Sequence, residues 1–171
     1  MLRVHVQANG CPDSVYDAAM DSFNTHVSMA GLTGLSQAEK GKTPHRQSEC
    51  RYIQKTRRHV PQIFYDLSDM VKDYGYYIPE IVQITTYNVG DYYKWHQDGS
   101  GRGYRKLSLT IPLNSPTEYD GGELEFEDVD IPTMATEART VILFDPNLYH
   151  QVNPITRGVR HSLVTWYVDR K

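Results

Sequence analysis

From about residue 80 onward the chain changes texture, and this change restricts its architecture more than any other feature. Segments 81–87, 106–113, 123–127, 140–144 and 160–168 are short, apolar or β-branched, and have the composition of strands. Between them lie turns rich in Asn, Asp and Gly, at 88–90, 98–103, 120–122, 145–147 and 157–158. No helical pattern intervenes. Strands at this spacing, without crossover helices, predict an antiparallel sandwich or barrel. A chain of 171 residues can bury one core and falls short of two, so a single domain spanning 1–171 is expected.

The residues before this point read differently. Asp13 and Ser14 are capping types, and Val15, Ala18, Ala19, Phe23 and Val27 recur at helical intervals, predicting a helix to about Met29. Segment 31–48 is rich in Gly, Ser, Thr, Gln and Lys and has no periodicity. It is expected to be a long flexible loop, able to fold over a bound peptide. A second helix is expected from Pro61 to just before Gly75, with Ile63, Phe64, Leu67, Met70, Val71 and Tyr74 as its apolar stripe. Residues 1–79 thus form a helical support region, and 80–171 the β core.

Composition narrows the classes of partner. A formal charge of −3 argues against nucleic acid as an obligate ligand, because phosphate binding leaves a basic surplus. Lys55, Arg57, Arg58 and His59 form a short basic run that reads as a solvated face. Cys11 and Cys50 match neither a metal spacing nor a disulfide framework, which suits a reducing compartment. Residues 1–10 lack the apolar core of a signal peptide, and no run approaches the roughly 18–20 apolar residues that span a bilayer. A cytoplasmic protein without membrane contact is the expectation.

The chemistry concentrates in His96-Gln97-Asp98. Residues two apart on extended backbone point to the same side, so His96 and Asp98 can converge on one ion. His150, between two strand segments, is the best third ligand. Two imidazoles and a carboxylate on one face of an octahedron leave three positions open, which suits Fe(II) oxygen chemistry. A His-x-Asp tripeptide alone is weak evidence. Ten residues after His150 comes Arg160, then Ser162. On a strand, Arg160, Ser162, Val164 and Trp166 share one face, and His161, Leu163, Thr165 and Tyr167 the other. A guanidinium grips a carboxylate with two parallel hydrogen bonds, and a nearby hydroxyl adds another. The distal carboxylate of a keto acid chelating the metal would need such a grip.

These residues resemble the prolyl 4-hydroxylase-like branch of the Fe(II)/2-oxoglutarate oxygenases, including bacterial hydroxylases of the PKHD type. The resemblance covers roughly 81–168. It rests on Tyr87 and Tyr93 before His96, on Gly121-Gly122-Glu123-Leu124, on Phe144 with His150, and on Arg160 and Trp166. It implies a mainly β fold with N-terminal helices: a double-stranded β-helix, or jelly roll, with its site in the open mouth. It implies His96, Asp98 and His150 as iron ligands, and Arg160, Tyr87 and Ser162 as the 2-oxoglutarate site. Tyr93, Arg105 and Trp166 resemble substrate-contacting residues. Fe(II), 2-oxoglutarate and O2, with ascorbate as an accessory reductant, are the implied cofactors.

The implied reaction hydroxylates a C–H bond, with a prolyl residue in a peptide or protein as the expected substrate, while the keto acid becomes succinate and carbon dioxide. Such chemistry asks the protein for positioning and exclusion of water, and no catalytic general base is assigned. Another residue or a small molecule could be the substrate. A non-catalytic or keto-acid-independent cupin-like metal-binding module is the rival reading, against which Arg160 and Ser162 argue. Two departures stand out. Pro112 replaces a tyrosine that contacts the cosubstrate in many family members, with Ser162, Thr110 or Tyr87 as candidates to compensate. Segment 99–104, which bears on the shape of the substrate cleft, is short.

Overall fold

A computed structural model describes residues 3–24, 39–42, 45–99, 101 and 103–170. Its elements are β1 (Val4–Gln7), α1 (Asp13–Asn24), β2 (Glu39–Lys42), β3 (Arg46–Ile53), α2 (Gln62–Met70), β4 (Tyr77–Tyr87), β5 (Tyr92–His96) and β6 (Arg105–Pro112). After these come β7 (Tyr119–Gly121), β8 (Leu124–Phe126), β9 (Val141–Phe144), β10 (His150–Val152), β11 (Ile155–Gly158) and β12 (Arg160–Asp169). One large sheet has the strand order β1-β9-β6-β12-β4-β3-β5-β10-β8, with β2 paired to β3, and a separate ribbon joins β11 to β7. Every pairing among these strands is antiparallel. The sheet curls into the expected jelly roll.

Strand β6 shows why the curl has a dry side and a polar side. Leu107, Leu109 and Ile111 alternate with Ser108, Thr110 and Pro112, and all six are buried. The apolar set joins Val82 and Ile84 of β4 and Leu163 and Tyr167 of β12 in the main core. Helices α1 and α2 cover this face with Val15, Ala19, Ile63, Phe64 and Leu67. Leu67, Leu109, Ile111 and Leu163 are fully buried, and each such side chain contributes about 1.5–3 kcal/mol over leaving it exposed. Tyr167 donates from its hydroxyl to Leu67 O (2.9 Å) and Thr165 from its hydroxyl to Ile81 O (2.7 Å), so these polar tips are satisfied within the layer. The opposite face carries Gln83 and Thr85, Ser108 and Thr110, and Arg160 and Ser162, all buried.

The amino-terminal region differs from the sequence expectation. Segment 31–48 is not one loop: 39–42 lies in β2, and 46–48 begins β3, which pairs with both β4 and β5. Hydrophobic periodicity could not reveal β3, because the side chains it turns inward are Arg46, Ser48 and Cys50. Residues 31–38 lie outside the described residues, as does the expected end of the first helix at 25–29. Nor is 1–79 purely a helical support, since β1, β2 and β3 belong to the main sheet. Pro61, expected as the first helical residue, is the cap of α2; its ψ of 145° keeps it outside. The same helix stops at Met70, where the N–H groups of Val71 and Lys72 bond three residues back, to Ser68 O and Asp69 O, tightening the last turn. Among the described residues no helix is long and apolar enough to cross a membrane.

Candidate metal and keto-acid site

His96 ends β5 and Asp98 occupies the turn after it; His150 opens β10, directly opposite His96 in the β5–β10 pairing. The Asp98 turn is stitched to the segment leading into His150. Gly99 N–H donates to Pro146 O (2.7 Å), and Gln97 Nε2 donates to Asn147 O (2.5 Å). One ligand atom from each of the three side chains lies within 4.8 Å of the others. His96 Nε2 is 3.7 Å from Asp98 Oδ1, and His150 Nε2 is 3.7 Å from Asp98 Oδ2.

The surroundings fit these groups for a metal. Nδ1 of His96 faces Lys94 O at 2.8 Å, and Nδ1 of His150 faces Leu148 O at 3.0 Å. A carbonyl only accepts, so each Nδ1 carries the proton and each Nε2 presents its lone pair toward the other ligands. Burial and the neighbouring His150 hold the His96 pKa down to about 4, which keeps this imidazole neutral at physiological pH. Asp98 is buried, and Ser108 Oγ donates to its Oδ2 (2.7 Å). A buried carboxylate facing two imidazole Nε2 atoms is a favourable seat for a cation and a costly one without it.

From the triad a narrow cleft extends past Tyr87, Thr110 and Ser162 to Arg160. Arg160 is 4% exposed, yet among the described residues no carboxylate pairs with it. Its Nη1 reaches only Ser162 Oγ, at 3.5 Å, and its guanidinium lies 5.5 Å from the Tyr87 ring centroid. Burial pushes the Tyr87 pKa up, so its hydroxyl stays protonated as a donor. A buried cation without a counter-ion is expensive, and it calls for an anionic ligand. The Gly121-Gly122 turn lets the Arg160 stem pass: Gly122 has a φ of +68°, and a Cβ there would lie 3.0 Å from Arg160 Cδ.

The inward face expected for β12 is therefore the observed one, because Arg160, Ser162, Val164 and Trp166 all line the cleft. Leu163 and Tyr167 point into the core beneath the helices. Tyr93 stacks on His96, with centroids 3.5 Å apart and planes 12° apart. Arg105 is not a loop residue; it is the first residue of β6. Its Nε donates to Glu80 Oε2 (2.8 Å), its Nη1 donates to Asp98 O (3.0 Å), and its guanidinium lies 4.0 Å from the Trp166 ring. It braces the backbone of Asp98, a candidate metal ligand, as well as facing the mouth. Pro112 lies outside this cleft, whereas Thr110, Ser162 and Tyr87, the proposed compensators, all line it.

Sequence reasoning missed three residues here. Ser108 was legible through the alternation in β6, two residues before Thr110. Glu80 needs its Arg105 partner in view. Arg46 carried no signal, since it fell in a segment without periodicity. In the fold its guanidinium sits 4.7 Å from the Tyr93 ring, donating to Ser48 Oγ and Cys50 Sγ, both at 2.7 Å.

Comparison with known proteins agrees with this geometry. Residues 82–168 match the family model of the 2OG-Fe(II) oxygenase superfamily. The chain belongs to that superfamily. Its members use Fe(II), 2-oxoglutarate and dioxygen, a set the donor atoms here suit. A PKHD-type hydroxylase of Synechococcus sp. (strain CC9902) is 37% identical over 93 residues, covering 50% of this chain and 40% of the relative. A PKHD-type hydroxylase of Variovorax paradoxus (strain S110) is 39% identical over 71 residues, covering 41% and 31%. The chain thus spans well under half the length of these relatives. A Pseudomonas putida prolyl-4-hydroxylase superimposes with a TM-score of 0.69 at 18% identity, over 99% of this chain and 94% of that one. A Trichoplax adhaerens prolyl hydroxylase, solved with a hypoxia inducible factor peptide, gives 0.67 at 16% identity, over 97% and 83%. At such identities the likeness concerns the jelly roll itself.

Proposed function

We propose that this oxygenase hydroxylates a prolyl residue within a peptide or protein, with His96, Asp98 and His150 holding Fe(II) and Arg160, Tyr87 and Ser162 holding 2-oxoglutarate. The observation that carries the cosubstrate assignment is the buried Arg160 guanidinium without a carboxylate, in the same cleft as the triad. It disfavours a keto-acid-independent cupin-like centre, which has no use for such a cation. Bound iron, with the keto acid and dioxygen, supplies the oxidising power that turns a C–H bond into C–OH, leaving succinate and carbon dioxide.

The chain's own residues do the positioning. Arg160 and the Tyr87 hydroxyl orient the distal carboxylate of the keto acid, which aims its other end at the triad. Ser108 and Arg105 fix Asp98, the former through its carboxylate and the latter through its carbonyl. Tyr93 and Trp166 wall the mouth with apolar ring atoms, which suit an apolar proline ring, while one face of each is already covered, by His96 and by Arg105. Free proline would bring an ammonium and a carboxylate into that space, and burying such ions unpaired costs more than the about 2–7 kcal/mol of an uncharged polar group. The peptide-bound relative of this fold supports a peptide over a metabolite. Mass spectrometry of Pro-containing peptides incubated with the protein, Fe(II), 2-oxoglutarate, ascorbate and oxygen tests the reading. The expected result is one added oxygen on proline, matched by succinate. Succinate release stimulated by free proline alone, or by an unrelated metabolite, removes the peptidyl-proline assignment and keeps the oxygenase.

A further inference from the structure

A second cavity, of about 320 Å³, adjoins the keto-acid cleft. Pro112, Gly122, Ala135 and Ile142 are among its walls, and Arg160 and Leu124 line both spaces. The Arg160 side chain is therefore part of the partition between them. Its stem is confined, since Gly122 packs so closely on Cδ that even a Cβ would press against it. Its head is held less firmly: among the described residues its one hydrogen bond, to Ser162 Oγ, is 3.5 Å long and at the edge of significance.

Pro112 decides what lies on the far side. It is paired directly opposite Ser162 in the β6–β12 register, so the two side chains share the inner face. A proline ring is compact and has no reach along the sheet. The space beside Arg160 that a longer side chain would fill is left open.

We propose that Pro112 sets the length of keto acid this site accepts, and that 2-oxoadipate, one methylene longer than 2-oxoglutarate, is taken as an alternative cosubstrate. The Arg160 guanidinium sets back into the space beside Pro112 to receive the more distant carboxylate, while the keto-acid end keeps its place at the triad. The balance is unchanged in kind: 2-oxoadipate, O2 and R–H give glutarate, CO2 and R–OH, with one oxygen atom in the new carboxylate and one in the alcohol. This rests on the reading that Arg160 receives the distal carboxylate.

Calorimetric titration of the full chain, loaded with Mn(II) as a redox-quiet stand-in for iron, tests it without turnover. The two acids are expected to bind wild type within about tenfold of each other, a gap of no more than about 1.4 kcal/mol. Pro112→Phe, which fills the second cavity without adding a hydrogen-bonding group, is expected to shift the ratio toward 2-oxoglutarate by at least about tenfold. Ala135→Leu narrows the same cavity from another wall and is expected to shift the ratio the same way, carrying the comparison if Pro112→Phe does not fold. A wild-type preference for 2-oxoglutarate above tenfold, or a ratio that neither variant moves, overturns the proposal while leaving Arg160 as the anchor. Binding of neither acid overturns the anchor assignment and the proposal together.

Discussion

Replacing Arg160 by Met keeps the unbranched stem against Gly122 and deletes the guanidinium, which gives two opposite expectations. Net hydrogen bonds to charged groups contribute about 1.5–3 kcal/mol. In a cleft where Arg160 is 4% exposed, water cannot easily replace the lost donors. The 2-oxoglutarate dissociation constant should therefore rise roughly 10- to 150-fold, at 1.4 kcal/mol per decade. Without ligand the sign reverses. The wild-type guanidinium is buried without a counter-ion, so its removal relieves a desolvation cost, and the ligand-free variant should melt at or above the wild-type temperature. Adding 2-oxoglutarate at a hundred times its dissociation constant should stabilise Mn(II)-loaded wild type by about 2.7 kcal/mol. The variant should keep only about 0.3–1.4 kcal/mol of this at the same concentration. His161→Ala is the companion substitution, on the opposite face of β12 against Phe23 (ring centroids 4.7 Å) and Thr86 (3.0 Å). It should leave the affinity within about threefold, well under 1.4 kcal/mol. If Arg160→Met binds 2-oxoglutarate as wild type does, or if His161→Ala is the variant that loses it, the anchor assignment is wrong.

His96→Ala and Asp98→Ala should abolish metal-dependent 2-oxoglutarate turnover with the far-UV spectrum retained, and full activity in either removes the triad assignment. Ser108→Ala deletes the 2.7 Å hydrogen bond to Asp98 and should weaken Mn(II) binding by about 10- to 100-fold in titration calorimetry. Burial holds His161 below its ordinary pKa of 6.5, so the unfolded chain takes up the proton first as pH falls. Its contribution is absent above that value and increasingly destabilising below it. His161→Gln should accordingly flatten the loss of melting temperature between about pH 6.5 and 5, and an unchanged slope refutes this. Tyr167→Phe strands Leu67 O without its 2.9 Å partner and should cost about 1–3 kcal/mol in urea unfolding.

Much of the site was legible along the chain because it depends on local geometry. His96 and Asp98 are two residues apart on extended backbone, and the period-two alternation of β12 placed Arg160, Ser162 and Trp166 on one face before any fold was known. Apolar alternation likewise marked the strands that press against the helices, and turn residues marked where they break. The same logic failed wherever a strand turns polar groups inward. Arg46-Gln47-Ser48-Glu49-Cys50 has no apolar stripe, because its inward side chains are Arg46, which lines the cleft, and Ser48 and Cys50, which accept hydrogen bonds from it. Hydrophobic periodicity reports what is buried in oil, and it is silent about what is buried around a ligand.

Other assignments needed the tertiary structure because they join residues far apart in sequence. Arg105 could be read as a mouth residue, but its bond to the carbonyl of Asp98 exists only once β6 is laid beside the turn after β5. That no described carboxylate pairs with Arg160 could not be inferred from a chain with 21 acidic residues, each free to fold against it. Pro112 read only as a missing tyrosine until its register opposite Ser162 and the cavity beside it gave the absence a shape. Sequence determined which side chains share a face, since strand backbone dictates that locally. Only the closed sheet decided which faces meet, because pairing between distant strands is set by the packing of the whole core.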